Sequence, residues 1–406
     1  MLYHVRTVEL DDVRAAQQLL SDVTRVTPLR PMRHLTEMVG GPVHLKCENL
    51  QRAGSFKVRG AYVRIAKLSD AQRRTGVVAA SAGNHAQGVA LAATLLGCTA
   101  TVFMPEAASL PKVAATRAYG ADVRLVGRTI DDSLVEARAF AAATSAELIH
   151  PFDHPDVVAG QGTTGLEILE QAPQVRTVVV CTGGGGLLAG IAVAVKALRP
   201  DVRVVGVQAA GAAAWPPSLA AGHPVALERM STMADGIAVG CPGLVPYDLV
   251  EELVDEIVTV DDDALARALL LCLERAKLVV EPAGAAAVAA LMQTPQHFAP
   301  PVVAVVSGGN IDPLLLSKLV RRGLAAAGRF GELDVAIPDR PGELARLLSV
   351  LAATGANVLD IEHRRTGADL HLDEVLVDVQ LETRGDEHGR DVVVALGEAG
   401  YTVTNR

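Results

Sequence analysis

The sequence predicts an α/β protein built on parallel sheets and followed by a smaller α+β domain. Three observations carry that expectation. Short Val-rich runs alternate with longer Ala/Leu-rich stretches, Gly-rich segments follow three of those runs, and the composition changes near residue 328. The runs fall at 77–80, 99–104, 123–126, 178–181, 204–207 and 302–306. Such aliphatic runs read as strands buried on both faces and joined by crossover helices. Ligands in folds of this kind collect beyond the carboxyl ends of the strands. Residues 81–84, 183–186 and 307–310 sit at three such ends, which places them around one cleft.

After Arg321-Arg322-Gly323-Leu324-Ala325-Ala326-Ala327-Gly328 the chain becomes more charged, and residues 330–406 read as β-α-β-β-α-β. Strands are expected near 331–337, 357–364, 374–382 and 401–404. Leu344, Leu347, Leu348 and Leu351 recur at i, i+3, i+4 and i+7, so a helix with one apolar face lies between the first two strands. Residues 390–398 supply the second helix.

The bulk properties narrow the function. At 406 residues the chain is long enough for two or three domains with substantial cores. A net charge of −9 argues against a general nucleic-acid surface. Five cysteines, Cys47, Cys98, Cys181, Cys241 and Cys272, are odd in number and widely spaced, which fits reduced thiols. Glu9, Asp11 and Asp12 follow soon after Met1 without a basic-then-apolar pattern, so the cytoplasm is the expected compartment. The uncharged stretch 178–195 is divided by four glycines into a strand and a helix start, so no membrane span is expected.

Gly54-Ser55-Phe56-Lys57-Val58-Arg59-Gly60-Ala61 offers an amine that becomes a nucleophile toward an aldehyde cofactor when it is desolvated. Standing alone, Lys57 would read as a solvated helix lysine. Ser81-Ala82-Gly83-Asn84-His85 offers a hydroxyl and several amides to a carboxylate, while the Asn84 amide suits a phenolic oxygen. His85 reads either as a general base or as an orienting, packing residue. Gly183-Gly184-Gly185-Gly186 precedes a helix starting near Leu187 and reads either as bare amides presented to a phosphate at a positive helix end, as a flexible turn, or as part of a dinucleotide-binding fold, the last without the G-x-G-x-x-G spacing or an acidic ribose ligand. Ser307-Gly308-Gly309-Asn310 places a hydroxyl where it can meet a ring nitrogen, although Ser307 standing alone reads as a turn residue.

With these four motifs in this order, the chain resembles the serine/threonine dehydratase family of fold type II pyridoxal-phosphate enzymes over nearly its whole length. That resemblance implies a two-subdomain catalytic unit over 1–325, with a smaller subdomain at roughly 50–155, and one ACT regulatory domain over 330–406. It implies a Schiff base at Lys57, Phe56 beneath the cofactor, Asn84 on its phenolic oxygen and Ser307 at its ring nitrogen. Gly183, Gly184, Gly185, Gly186 and Leu187 would hold its phosphate, and Ser81, Ala82, Gly83, Asn84 and His85 the substrate.

The implied reaction is conversion of L-threonine to 2-oxobutanoate and ammonia, with pyruvate formed from L-serine. A serine racemase-like enzyme is the alternative, but racemases carry a second serine where this chain has Ala82. In racemase-like relatives a divalent-cation site uses a carboxylate where this chain has Gln208, so no metal is expected. A non-catalytic amino-acid sensor on the same fold is the third reading, and the intact Lys57 weighs against it. Glu281, in Val280-Glu281-Pro282, reads either as a helix-capping acid or as a neighbour of the ring or substrate. The ACT resemblance implies an amino-acid effector, isoleucine if the enzyme feeds branched-chain synthesis, with Asp339, Arg340, Pro341, Gly342 and Asn357 as the contact region. A homo-oligomer, dimer or tetramer, is expected.

Overall fold

The structure is a computed structural model that describes residues 8–365 and 373–405. The chain divides into two compact units, 1–315 and 316–406. The division falls inside the helix Pro313–Ala326, earlier in sequence than the change of composition. No described helix is long and apolar enough to cross a membrane.

Among the described residues, unit 1 contains ten strands: β1 (Leu29–Pro31), β2 (Val43–Cys47), β3 (Val77–Ala80), β4 (Ala100–Met104), β5 (Asp122–Leu125), β6 (Glu147–Leu148), β7 (Thr177–Cys181), β8 (Arg203–Ala209), β9 (Glu256–Val260) and β10 (Val302–Val306). They form a six-stranded sheet in the order β1-β2-β10-β7-β8-β9 and a four-stranded sheet in the order β5-β4-β3-β6. All pairings are parallel except that of β1 with β2. Every residue of β7 and β10 is buried, as the unbroken aliphatic runs require of strands covered on both faces.

Five helices of unit 1 position the site: α1 (Lys57–Ala66), α2 (Asn84–Leu95), α3 (Pro155–Gln171), α4 (Gly186–Leu198) and α5 (Pro282–Gln293). Small residues let them approach closely. A Cβ at Gly190 on α4 would lie 2.3 Å from Val158 O on α3, and one at Gly284 on α5 would lie 2.3 Å from Gly308 O. The four-stranded sheet has its own core, in which Val77, Val102 and Met104 pack against Val89 and Ala93 of α2.

Unit 2 adds β11 (Phe330–Pro338), β12 (Asn357–Arg364), β13 (Glu374–Glu382) and β14 (Thr402–Asn405), antiparallel in the order β12-β13-β11-β14. Its helices are α6 (Glu343–Thr354) and α7 (Asp386–Glu398). Leu347 and Leu351 of α6 are fully buried with Val335, Val377 and Val379, so the leucine periodicity marks the core face. Helix α7 begins four residues earlier than its apolar pattern indicates. Gly385, at φ 134°, turns the chain into it, and Asp386 and Glu387 suit the positive end of the helix.

The register separates residues expected to share an effector site. Pro338 pairs with Glu374 at one end of the sheet, next to Asp339 to Gly342, whereas Glu382 pairs with Asn357 and with Phe330 at the other. Eight residues of strand separate the two ends by roughly 27 Å. Within one chain, Asn357 therefore does not join Asp339, Arg340, Pro341 and Gly342 in a single pocket.

Candidate active site

The lysine motif is fastened directly to the serine motif. Ser55 bridges to Gly308, with Phe56 N donating to Ser307 O at 3.2 Å and Gly309 N to Gly54 O at 2.9 Å. Gly54 takes φ 70°, and a Cβ there would stand 2.2 Å from Asn310 Oδ1, so only glycine permits this turn. The chain then enters α1 with Lys57 as its first residue. Arg59 ties that first turn inward. Its guanidinium binds both carboxylate oxygens of Glu48 at 2.9 Å and Glu167 Oε1 at 2.7 Å, and Glu167 in turn meets Lys46 Nζ at 2.5 Å. All four side chains are buried, and their charges cancel.

Lys57 is half-buried, with Nζ donating to Pro151 O at 2.9 Å and lying 5.1 Å from the centre of the Phe56 ring. Burial lowers its pKa to about 8, against the opposing pull of Cys181 and Glu281. A fraction of the amine is therefore neutral near pH 7, as a nucleophile or base requires.

The loop after β3 brings Ser81, Ala82, Gly83 and Asn84 to the start of α2, all partly exposed. Ser81 Oγ accepts from Gly83 N at 3.2 Å. Asn84 Oδ1 accepts from Asn310 Nδ2 at 2.8 Å, and Asn84 Nδ2 donates to Glu281 Oε1 at 2.6 Å. One N–H of the Asn84 amide thus stays uncommitted. His85 is buried, and its Nε2 meets Ile149 O at 2.8 Å. That carbonyl requires the proton on Nε2, and burial beside Lys57 pushes the ring's pKa down to about 3. His85 is an orienting residue and not a base.

The glycine run joins β7 to α4. Gly183, Gly184, Gly185, Gly186 and Leu187 have amides with no hydrogen-bond partner among the described residues. Phe152 packs across the run, so that a Cβ at Gly184 would sit 2.3 Å from its ring. Ser307 is buried at the end of β10, and its Oγ accepts from Cys181 Sγ at 3.2 Å, leaving its own proton free. Glu281 makes no capping bond to α5 and turns toward Asn84. Burial raises its pKa to about 7, with Asp235 adding to the shift and Asn84 opposing it.

These residues fit pyridoxal phosphate. Free amides at a helix N-terminus suit the phosphate, a desolvated amine suits the aldehyde, and an uncommitted amide N–H and a free hydroxyl proton suit the phenolic oxygen and the ring nitrogen. Gln208 spends its amide internally, with Nε2 donating to Ala212 O and Oε1 accepting from Trp215 N. Among the described residues, no group of three His, Cys, Asp or Glu could hold a metal ion. The motifs did not reveal the Pro151 carbonyl or the Phe152 ring. Both lie on an irregular segment without a pattern of its own.

Comparison with known proteins gives the same picture. The pyridoxal-phosphate dependent enzyme family matches residues 20–308, and the ACT domain family matches 332–398. An L-threonine ammonia-lyase of Thermotoga maritima is 44% identical, covering 98% of this chain and 99% of its own. A threonine deaminase from T.th. superposes with a TM-score of 0.72 at 43% identity, over 75% of this chain and 99% of that one. Maize serine racemase superposes with a TM-score of 0.74 at 36% identity, over 79% and 99%.

Proposed function

The chain belongs to the pyridoxal-phosphate-dependent enzyme family and carries an ACT domain, and from that premise we propose that it is an ammonia-lyase acting on L-threonine. The products are 2-oxobutanoate and ammonia, with pyruvate and ammonia formed from L-serine. The observation that carries the reading is the Lys57 amine, pKa about 8, held by Pro151 O and lying beside Cys181, whose thiol donates to Ser307, and Glu281, which accepts from Asn84. Identity to a named L-threonine ammonia-lyase along nearly both chains supports the substrate class.

Bound pyridoxal phosphate supplies an electron sink conjugated to the substrate's α-carbon. The chain's own residues bind, orient and move protons around it. The amides of Gly183 to Gly186 would hold the phosphate through aligned N–H dipoles, without a lysine or arginine in the run. The Ser81 hydroxyl and the uncommitted backbone amide of Asn84 would take the substrate carboxylate, with the Gly83 amide holding Ser81 Oγ in place. Lys57 Nζ removes the α-proton, with Pro151 O holding one of its hydrogens and so aiming its lone pair. Ser307 would offer a hydroxyl and not a carboxylate to the ring nitrogen, which does not require that nitrogen to be protonated. Ala82 has no hydroxyl to protonate the opposite face, which supports a lyase over a racemase.

Regulation by an amino acid at unit 2 belongs to the same proposal, as do a homo-oligomer and a cytoplasmic setting. Among the described residues no strand pairs with the outer edges of β12 and β14, which supports association, and five free cysteines support a reducing compartment. Purified protein with pyridoxal phosphate should release keto acid from L-threonine and L-serine. Formation of D-serine without keto acid would replace the lyase reading with the racemase one.

A further inference from the structure

Trp215, the only tryptophan of the chain, approaches the glycine run from outside and is wholly buried. Its Nε1–H donates to Gly183 O at 2.7 Å. Its ring lies against Gly185, where a Cβ would stand 2.4 Å from Cζ2, and Gly185 itself takes φ 100°. The indole stacks on Tyr247, with centroids 6.1 Å and planes 6° apart. Its position is also set through the backbone. Trp215 N donates to Gln208 Oε1 at 3.0 Å, and Gln208, fully buried on β8, donates through Nε2 to Ala212 O at 2.9 Å.

A trans peptide unit is planar, with its C=O and N–H pointing in opposite directions. Fixing Gly183 O on the indole therefore aims the Gly184 N–H to the other side. Gly184 O is fixed in the same manner by Gly243 N at 3.0 Å, which aims the Gly185 N–H. Glycine chains are the most freely rotating of backbones, so four in a row would otherwise spread their amides over many directions. With no lysine or arginine in the run, the run's own attraction for an anion comes from the alignment of these dipoles.

We propose that Trp215, held by Gln208, is the positioning residue of the phosphate cup, directing the Gly184 amide at the cofactor's phosphate while touching neither substrate nor cofactor. The inference rests on the reading of Gly183 to Gly186 as the phosphate site. It goes further by naming what converts a flexible run into a receptor for a dianion.

The test compares pyridoxal phosphate with pyridoxal, which has the same aldehyde and ring and no phosphate. Apoenzyme is titrated with each, and binding at Lys57 is followed by the ligand's own absorbance. Trp215→Phe keeps a ring against Gly185 and removes the N–H donor. Its dissociation constant for pyridoxal phosphate should rise about tenfold while that for pyridoxal changes less than about twofold. Gln208→Met retains the indole and loosens it, so a phosphate-selective loss of about threefold is expected, and this variant carries the test if the first does not fold. Equal weakening of both ligands, or wild-type selectivity in the variants, overturns the role of Trp215 while leaving the cup in place. Failure of the wild-type protein to prefer pyridoxal phosphate overturns the cup as well.

Discussion

Glu281 sets Oε1 2.6 Å from the side-chain nitrogen of Asn84, although 197 positions separate the two residues in sequence. The carboxyl also fills the space above Gly308, where a Cβ would come within 2.3 Å of Oε1. A residue at the entrance to a helix would ordinarily cap it, yet Glu281 makes no such bond. It faces the loop that holds Asn84, so its charge bears on both the amide and Lys57.

Glu281 should make stability pH-dependent in a definite direction. Burial raises its pKa from the ordinary carboxylate range to about 7, so the folded state binds the proton more tightly than the unfolded chain. The stabilising contribution is whole below the unfolded value and is lost as pH rises through about 7. Glu281→Gln abolishes this titration. The variant's melting temperature relative to wild type should rise between about pH 5 and about pH 8, by the equivalent of up to about 3 kcal/mol. A difference that stays constant over that range, measured on apoenzyme, would count against the buried, titrating carboxyl.

Much of this arrangement was legible in the sequence because strand ends announce themselves. The runs at 77–80, 178–181 and 302–306 each end on glycine-rich segments, and parallel pairing of β10 with β7 brings two of them side by side. Lys57, Asn84 and Ser307 could thus be assigned to one cleft. The partners of these residues were not legible, because they depend on contacts between distant segments. Nothing near Pro151 marks its carbonyl as the acceptor for Lys57, and Glu281 had two readings until its side chain was seen to leave the helix. The place of Asn357 was likewise not legible, since only the register of β11, β12 and β13 sets it at the opposite end of the sheet from Asp339.

Lys57→Ala should lose the cofactor's bound visible absorbance and reduce keto-acid release by at least about a thousandfold. In the wild-type apoenzyme, the rate of cofactor capture should climb with pH and level off above about 8, as the amine loses its proton. An ordinary lysine would be only roughly 0.3% neutral at that pH, so its rate would still be rising. Stopped-flow absorbance across the range separates the two. A rate still climbing steeply past pH 9 would contradict a desolvated amine.

Removing Arg59 leaves Glu48 buried without its bidentate partner, and Glu167 keeps only Lys46 as its cationic neighbour. Arg59→Met should therefore destabilise unit 1 by about 3–5 kcal/mol, the range for breaking one side of a buried ion pair. Urea unfolding of wild type and variant checks this. A loss below about 1 kcal/mol, typical of exposed pairs, would show that the cluster is not dry.

Ala82→Ser supplies a hydroxyl on the loop between β3 and α2, next to the Ser81 and Gly83 pair. If a single proton carrier keeps the reaction to elimination, the variant should form D-serine from L-serine at a rate detectable by chiral chromatography, while the wild type forms none. Its lyase turnover should fall by less than about tenfold, since Lys57 and its Pro151 contact are untouched. Absence of D-serine in the variant would mean that the second face is blocked by something other than the missing hydroxyl.

Unit 1 closes its sheets and its core before residue 315, with β10 ending at Val306, so the residues of the proposed active site need no strand from unit 2. A chain ending at Gly328 should consequently keep turnover on L-threonine within about threefold of the full-length enzyme. The same truncation should erase any response to isoleucine, valine or other amino-acid effectors, because allosteric coupling requires the second site to be present. Initial rates with and without each amino acid, on both proteins, decide the matter. Sensitivity that survives the truncation would move the effector site into unit 1 and leave the ACT domain as an association module.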